Sequence, residues 1–237
     1  NRLRPDFVVC ENVKGLRSML DGKVEAKIIS DYKEAGYDIN VTVLNSADYG
    51  VPQSRPRGFI KIWKKGLDWS KPVSQDKITL RDAIGHLSSL ESGEKSTIKW
   101  HTAKTHNDRE VLAMKHTEEG KSAMQNPIYY PKKADGTKIK GFHNTYKRMK
   151  WDEPCPARTM NSGNMGGHNN VHPGRLLPDG TRSDARVLTL RELFIVSSLP
   201  ADMDLPEWCS DTLIRNVIGE AIPPRFSESI VKQINKK

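Results

Sequence analysis

The sequence predicts an α/β fold interrupted by a long irregular insert. Three observations carry this prediction. An apolar strand, an amphipathic helix and an alternating strand follow one another between residues 7 and 43. From residue 76 to about 185 the regular periodicity is lost, and from Thr189 to the C-terminus helical patterning returns. Strand, helix, strand is the βαβ unit of a parallel sheet, and such sheets place their sites in loops at the carboxyl ends of strands.

Each element has a local reason. Phe7, Val8, Val9 and Cys10 follow Pro5 as a short apolar run, as in a buried strand. Leu16, Met19, Leu20, Ile28, Ile29 and Tyr32 share one helical face over residues 16–35, and Gly36 is a natural stop. Ile39, Val41 and Val43 alternate with Asn40 and Thr42, which reads as a half-buried strand. Phe59, Ile60, Ile62 and Trp63 read as another. Between these strands lies the polar loop Asn45–Arg57. In the insert, Thr79 with Asp82 opens a short helix around 79–87. Lys132 to Lys150 holds seven basic residues and one acid, with Phe142 and Tyr146 interleaved. Asn161–Asn170 holds three Gly and four Asn, as in flexible loops. Thr189 with Glu192 forms a capping box for a helix to Ser197, Asp211–Ile218 is helical, and Pro224 starts a last helix to about Asn235. Its apolar face is Phe226, Ile230, Val231 and Ile234. The expected division is 1–75, 76–200 and 201–237.

Composition narrows the classes. The 237 residues are 36% hydrophobic with five Trp, which argues against intrinsic disorder. No apolar run reaches the ~18 residues of a membrane helix. Three scattered cysteines, at 10, 155 and 209, fit a reducing compartment better than a disulfide framework. The net charge of +9 favours a polyanionic partner.

Two loops hold the chemistry. Glu11 sits at the end of the first strand beside apolar neighbours, where partial desolvation suits a carboxyl to hold or share a proton. In the second loop, Arg55 and Arg57 flank Pro56 and would point to one side of an extended backbone, clamping a phosphate or a carboxylate. A helix cap for Glu11 and a solvated turn for the arginines are the structural alternatives.

These residues carry a family resemblance. Glu11-Asn12-Val13 after an apolar strand resembles the sixth motif of the cytosine-5 DNA methyltransferases. Tyr49-Gly-Val-Pro-Gln-Ser-Arg-Pro-Arg57 is similar to the eighth, Arg186-Val-Leu-Thr-Leu-Arg-Glu192 to the ninth, and Gly219-Glu-Ala-Ile-Pro-Pro224 to the tenth. The four motifs stand in family order. The resemblance implies part of a Rossmann-like, S-adenosylmethionine-dependent methyltransferase sheet, with an irregular, β-rich target-recognition domain between the eighth and ninth motifs. It implies that Glu11, Arg55 and Arg57 act catalytically on a flipped cytosine, with Asn12, Gln53 and Arg186 binding substrate. Glu220 and Ala221 would lie beside the methionine end of S-adenosylmethionine. Glu220 departs from the usual Asn and, when ionised, can only accept hydrogen bonds.

In the insert, Lys138, Lys140, Lys147 and Arg148 are expected to meet phosphates of double-stranded DNA. Asn161, Asn164, Asn169 and Asn170 are expected at base edges. Cys155 follows a Pro, as the family nucleophile does, yet it comes long after Glu11, so it is not expected to be that nucleophile. Cys10 is expected in the core. The histidines lack a Cys-x-x-Cys partner pair and are read as polar or DNA-facing rather than as metal ligands. A Gly-rich cofactor loop and a Pro-Cys nucleophile are expected outside this chain, in an N-terminal part of the same enzyme or in a separate subunit carrying the earlier motifs. The chain alone is therefore expected to be inactive. The setting implied is bacterial restriction-modification, in the cytoplasm at the nucleoid. A non-catalytic DNA-binding subunit and a tRNA-methylating enzyme are the competing readings.

Overall fold

A computed structural model describes residues 3–235. The N-terminal unit is β1 (Phe7–Asn12), α1 (Lys23–Glu34), β2 (Tyr37–Asn45), β3 (Gln53–Ser54), β4 (Pro56–Lys64) and β5 (Asp68–Trp69). The main sheet has the order β1-β4-β2. β4 is antiparallel to both neighbours, so β1 and β2 run parallel but do not touch. The βαβ unit is present, but the expectation that its strands are neighbours in a parallel sheet is corrected here. A crossover between adjacent parallel strands needs a dozen or more residues, usually with a helix. The loop between Asn45 and Pro56 carries only a 3₁₀ turn at Ser46–Tyr49 and the two-residue β3, too little for a crossover, so the chain comes back antiparallel into the gap left by the α1 crossover.

Two further expectations change in this unit. The helix predicted over 16–35 is split. Leu20 and Asp21 take left-handed backbone angles (φ +49° and +55°) before Gly22 at φ +81°, so a 3₁₀ turn at Lys14–Ser18 precedes α1. Asp-Gly is turn chemistry. Leu16, Ile28 and Tyr32 pack with Ile39, Val41, Ile60 and Ile62, whereas Met19 and Leu20 are exposed. β1 is an edge strand, so Val9 is 44% exposed and Cys10 is exposed rather than in the core.

The insert contains α2 (Leu80–Ile84), α3 (Asp108–Lys115) and β6 (Cys155–Pro156). The Thr79–Asp82 capping box forms as its spacing predicts. The insert is irregular but not β-rich. Among its described residues β6 is the one regular strand, and the rest of its pairing is isolated bridges such as Arg148 with Val171 and Val171 with Val187. Long ladders do not survive so many Gly and Pro residues. Buried side chains bond to backbone carbonyls instead.

The C-terminal elements are α4 (Leu190–Val196), α5 (Asp211–Glu220), α6 (Pro224–Val231) and β7 (Ile234–Asn235). Thr189 and Glu192 cap α4 reciprocally. The largest core joins Leu80 and Ile84 of α2, Leu193 and Phe194 of α4, and Ile214 and Ile218 of α5 with Trp151 and Cys155. Burying each such large side chain stabilises by about 1.5–3 kcal/mol. This core passes through the boundary expected at residue 200. α6 packs Phe226 and Ile230 onto Tyr49, Phe59 and Trp69 of the N-terminal unit. It ends at Val231, which is 42% exposed, because the chain then turns to pair β7 with β5.

Candidate functional site

The site begins where β1 and β4 meet. Glu11 is opposite Phe59, and Arg57 lies two residues from Phe59 on β4. That diagonal places both side chains on one face of the sheet. Arg57 Nε is 3.0 Å from Glu11 Oε1, and both side chains keep about a fifth of their surface exposed. Arg57 also donates to its neighbour's carbonyl on Pro56 at 2.8 Å. Glu11 thus has a fixed cationic partner instead of only apolar neighbours. Asn12, exposed at the strand end, accepts from Val13 N–H at 2.8 Å.

Arg55 and Gln53 have turned inward. Arg55 is 3% exposed and donates to the carbonyls of Arg158 (2.8 Å), Gly219 (2.9 Å) and Glu220 (3.3 Å). Burial, with Arg57 nearby, pushes its pKa down to about 10. The two arginines of the motif therefore take separate partners, because Arg55 lies between β3 and β4, outside the sheet register. Gln53 donates to Ser197 Oγ and Val196 O and accepts from Arg158 N–H. The eighth-motif segment is in this way clamped to the segment 156–158 and to the start of the tenth motif. Gly219 makes the clamp possible, since a Cβ there would collide with the backbone of Thr159 and Met160.

Arg186 is corrected from substrate contact to internal brace. It is fully buried and spends its five N–H donors on Leu90 O, Val187 O, Asp184 and both oxygens of Glu192. The salt bridges hold the Glu192 carboxyl down to about 2, against the cost of its burial. His172 lies between Asp184 and Glu192, 3.9 and 3.7 Å away, and burial lowers its pKa to about 4.

The expected DNA-facing residues divide. Lys138 and Lys140 are exposed and Lys147 is half-buried. Lys138 Nζ lies 4.8 Å from the Tyr130 ring. Arg148 is fully buried, donating to the carbonyls of Met114, His172 and Asp184, so it is not free for a phosphate. Asn161 and Asn164 are exposed and Asn169 is half-buried. Asn170 is buried. Its amide donates to the carbonyls of Asn161 (2.6 Å) and Asn164 (2.7 Å) and accepts from Arg158. The run read as a flexible loop is thus folded around its own last asparagine. Arg158 is a residue sequence reasoning missed. It is 1% exposed and joins Pro156, Asn169 and Asn170.

Cys155 is fully buried in the main core, and burial pushes its thiol pKa up, which suits packing rather than nucleophilic attack. Two of the histidines read as polar or DNA-facing are internal. His101 bonds to Thr189 Oγ1 and Ser88 O, and His172 sits against Trp151. Glu220 and Ala221 are exposed at the end of α5, with the Glu220 carbonyl engaged by Arg55. An exposed carboxylate is an acceptor of the kind an ammonium requires, so Glu220 fits the methionine end of S-adenosylmethionine. Among the described residues no helix is long and apolar enough to cross a membrane.

Comparison with known proteins follows the same lines. A family model described as C-5 cytosine-specific DNA methylase matches residues 1–236. The chain is 42% identical over 238 residues to Type II methyltransferase M1.HgaI of Avibacterium volantium, covering 98% of this chain and 67% of that protein. It is 28% identical over 235 residues to Type II methyltransferase M1.HphI of Haemophilus parahaemolyticus, covering 98% of this chain and 57% of that one. The chain therefore spans about three fifths of the length of such relatives. In structure it is similar to an E. coli prophage-encoded protein described as a DNA modification methyltransferase, with a TM-score of 0.67 at 18% identity over 98% of this chain and 69% of that one. It is also similar to a methyltransferase of Entamoeba histolytica, at a TM-score of 0.59 and 11% identity over 96% of this chain and 61% of that one. The α/β sheet, the motif order and the matched length together place this chain in the C-5 cytosine-specific DNA methylase family.

Proposed function

We propose that this chain supplies the base-holding and DNA-recognising part of a DNA cytosine-5 methyltransferase of the restriction-modification type. The observation that carries this reading is the Glu11–Arg57 pair, fixed on one sheet face where a strand end opens to solvent. Glu11 bonds the Watson–Crick edge of a flipped cytosine: one oxygen accepts from the exocyclic amine, and the other, protonated from solvent as the base enters, donates to N3. That proton draws electrons from the ring and eases attack at its sixth carbon. Arg57 fixes the Glu11 rotamer and adds positive charge beside the base. Arg55, Gln53 and Arg158 hold the loop in place without touching substrate, and Arg186 does the same for the ninth motif. Glu220 and Ala221 hold the methionine end of S-adenosylmethionine, which supplies the methyl group when bound.

The attacking thiol and the main cofactor loop belong, in this reading, to a segment outside residues 1–237, either in the same polypeptide or in a partner subunit. The outer edge of β1 supports this. Val9 of this strand is exposed, and β4 is its one neighbour among the described residues. A bare apolar strand edge is a template for further strands. The chain alone then transfers no methyl groups. Exposed Lys138 and Lys140 contact the DNA backbone, and Asn161 and Asn164 lie at base edges, in a protein of the bacterial cytoplasm and nucleoid.

The test is transfer of labelled methyl groups from S-adenosylmethionine to unmethylated duplex DNA and to tRNA. It compares this chain alone with the chain joined to its cofactor-binding part. DNA-specific transfer by the joined form alone supports the proposal. Turnover by residues 1–237 alone, or preference for tRNA, refutes it.

A further inference from the structure

A cleft of about 620 Å³ lies between the segment entering α3, the loop 160–164 and α5. None of the four motifs accounts for its outer wall. Two cations converge on it at Gly163, where an added Cβ would sit 3.0 Å from both Lys104 Nζ and Arg215 Cδ. Arg215 is 2% exposed. Its Nε pairs with Asp211 at 2.7 Å and its Nη1 donates to Ser162 O and Leu188 O, but its Nη2 has no partner. A buried guanidinium N–H without an acceptor is unfavourable unless something occupies it. Lys104 Nζ is held only loosely, 3.9 Å from the same Asp211.

The other lining groups are mainly polar donors, with one carboxylate, Glu110, among them. Asn161 and Asn164 are exposed on the loop, and His106 and Asn107 lie on the opposite wall. His106 Nε2 accepts from Val187 N–H, so the ring proton is on Nδ1. Burial, together with Lys104, Arg215 and Arg186, lowers its pKa to about 4 and keeps the ring neutral. The Glu110 carboxylate, also on the wall, is engaged by the Tyr146 hydroxyl at 2.8 Å. Lys104 and Arg215, which share the Asp211 carboxylate, present N–H donors that match a singly charged oxyanion such as a phosphodiester.

We propose that Lys104, with Arg215 behind it, seats one backbone phosphate of the DNA next to the recognition loop. This rests on the DNA reading above. The seat is joined to the site, because the loop's Met160 backbone abuts Gly219, whose carbonyl binds Arg55. A phosphate held there fixes the register of the duplex relative to Glu11. Being a backbone contact, it carries no base preference.

The experiment measures duplex affinity against salt for the complete enzyme and for Lys104→Gln and Lys104→Arg, using two unrelated duplexes. Lys104→Gln should bind both duplexes several-fold more weakly and reduce the slope of log K against log salt by about 1. Lys104→Arg should keep the wild-type slope. An unchanged slope in Lys104→Gln overturns the seat, as does a loss confined to one duplex. A Lys104→Gln protein that loses affinity for inorganic phosphate but not for DNA assigns the cleft to a free anion and also overturns it. Failure of the wild type to bind any duplex overturns the DNA reading itself, which separates the two failures.

Discussion

Replacing Arg55 with alanine will loosen the joint between the sheet and the recognition segment. Arg55 is 3% exposed and its guanidinium serves three carbonyls, two of them at 2.8–2.9 Å and one at 3.3 Å. Hydrogen bonds from a charged donor contribute about 1.5–3 kcal/mol each, and a carbonyl left unmatched in the interior costs about 1–3 kcal/mol. Two short bonds at the lower end, a weaker third, and partial rehydration of the vacated space give a loss of about 3 kcal/mol. With a urea dependence of about 3 kcal/mol per molar for a domain of this size, the unfolding midpoint falls by about 1 M. Urea titration of the complete enzyme, followed by tryptophan fluorescence, reads this directly, since Trp69 and Trp151 are buried. Arg55→Lys recovers less than half of the loss, because one ammonium cannot reach three diverging acceptors. Arg57→Ala is the contrast. Its pair with Glu11 is partly solvated, so stability changes by under about 1 kcal/mol, while methyl transfer falls sharply. If Arg55→Ala unfolds within 0.2 M (roughly the resolving power of such titrations) of the wild type while losing turnover, Arg55 acts on substrate and the bracing argument is wrong.

Three further outcomes follow from the same geometry. Glu11→Ala in the complete enzyme should slow methyl transfer by on the order of 10²–10⁴ with DNA binding mostly kept, and unchanged turnover would remove Glu11 from the mechanism. Asn170→Ala strips the donors from two carbonyls and should destabilise by about 2 kcal/mol, measurable as a lowered unfolding midpoint with faster proteolysis at 161–169. For pH, His172 has its folded pKa lowered from 6.5 to about 4. The unfolded chain therefore binds the extra proton first, and stability falls as pH drops from about 6.5 toward 4. Glu192, also lowered, adds to the loss at still lower pH. Urea midpoints at pH 7.5 and 5 should differ, and the difference should shrink in His172→Asn.

Much of this molecule is legible in its sequence, and what is not has physical causes. The Thr79 and Thr189 capping boxes, β4 and α5 depend on local spacing, and they form where that spacing puts them. Strand order is different. Nothing in Ile39–Val43 or Phe59–Trp63 says that the later strand enters between the two earlier ones; that follows from the short loop that joins them. Arg148 and Arg186 are expected at DNA and substrate, and Arg158 goes unnoticed, because a sequence cannot count carbonyl acceptors. Only the fold brings Met114, His172 and Leu90 to them. The candidate site was the easier part, since the diagonal of Glu11 and Arg57 requires only two motif residues on adjoining strands. Its supports, Arg158 above all, come from a stretch whose glycines and asparagines suggest looseness.

The close approach of α5 to Thr159 and Met160 at Gly219 bears on how such enzymes can be recombined. A graft that exchanges residues 76–200 between relatives would cut through one shared core and sever the Arg55 and Gln53 clamps at Arg158. A transplant that keeps residues 155–170 and α5 from a single parent preserves that seam. New DNA specificities should therefore be easier to obtain by exchanging the shorter stretch 130–143, whose hydrogen bonds run mostly within the segment, as from Lys133 to Thr137 and from Ile139 to Pro131.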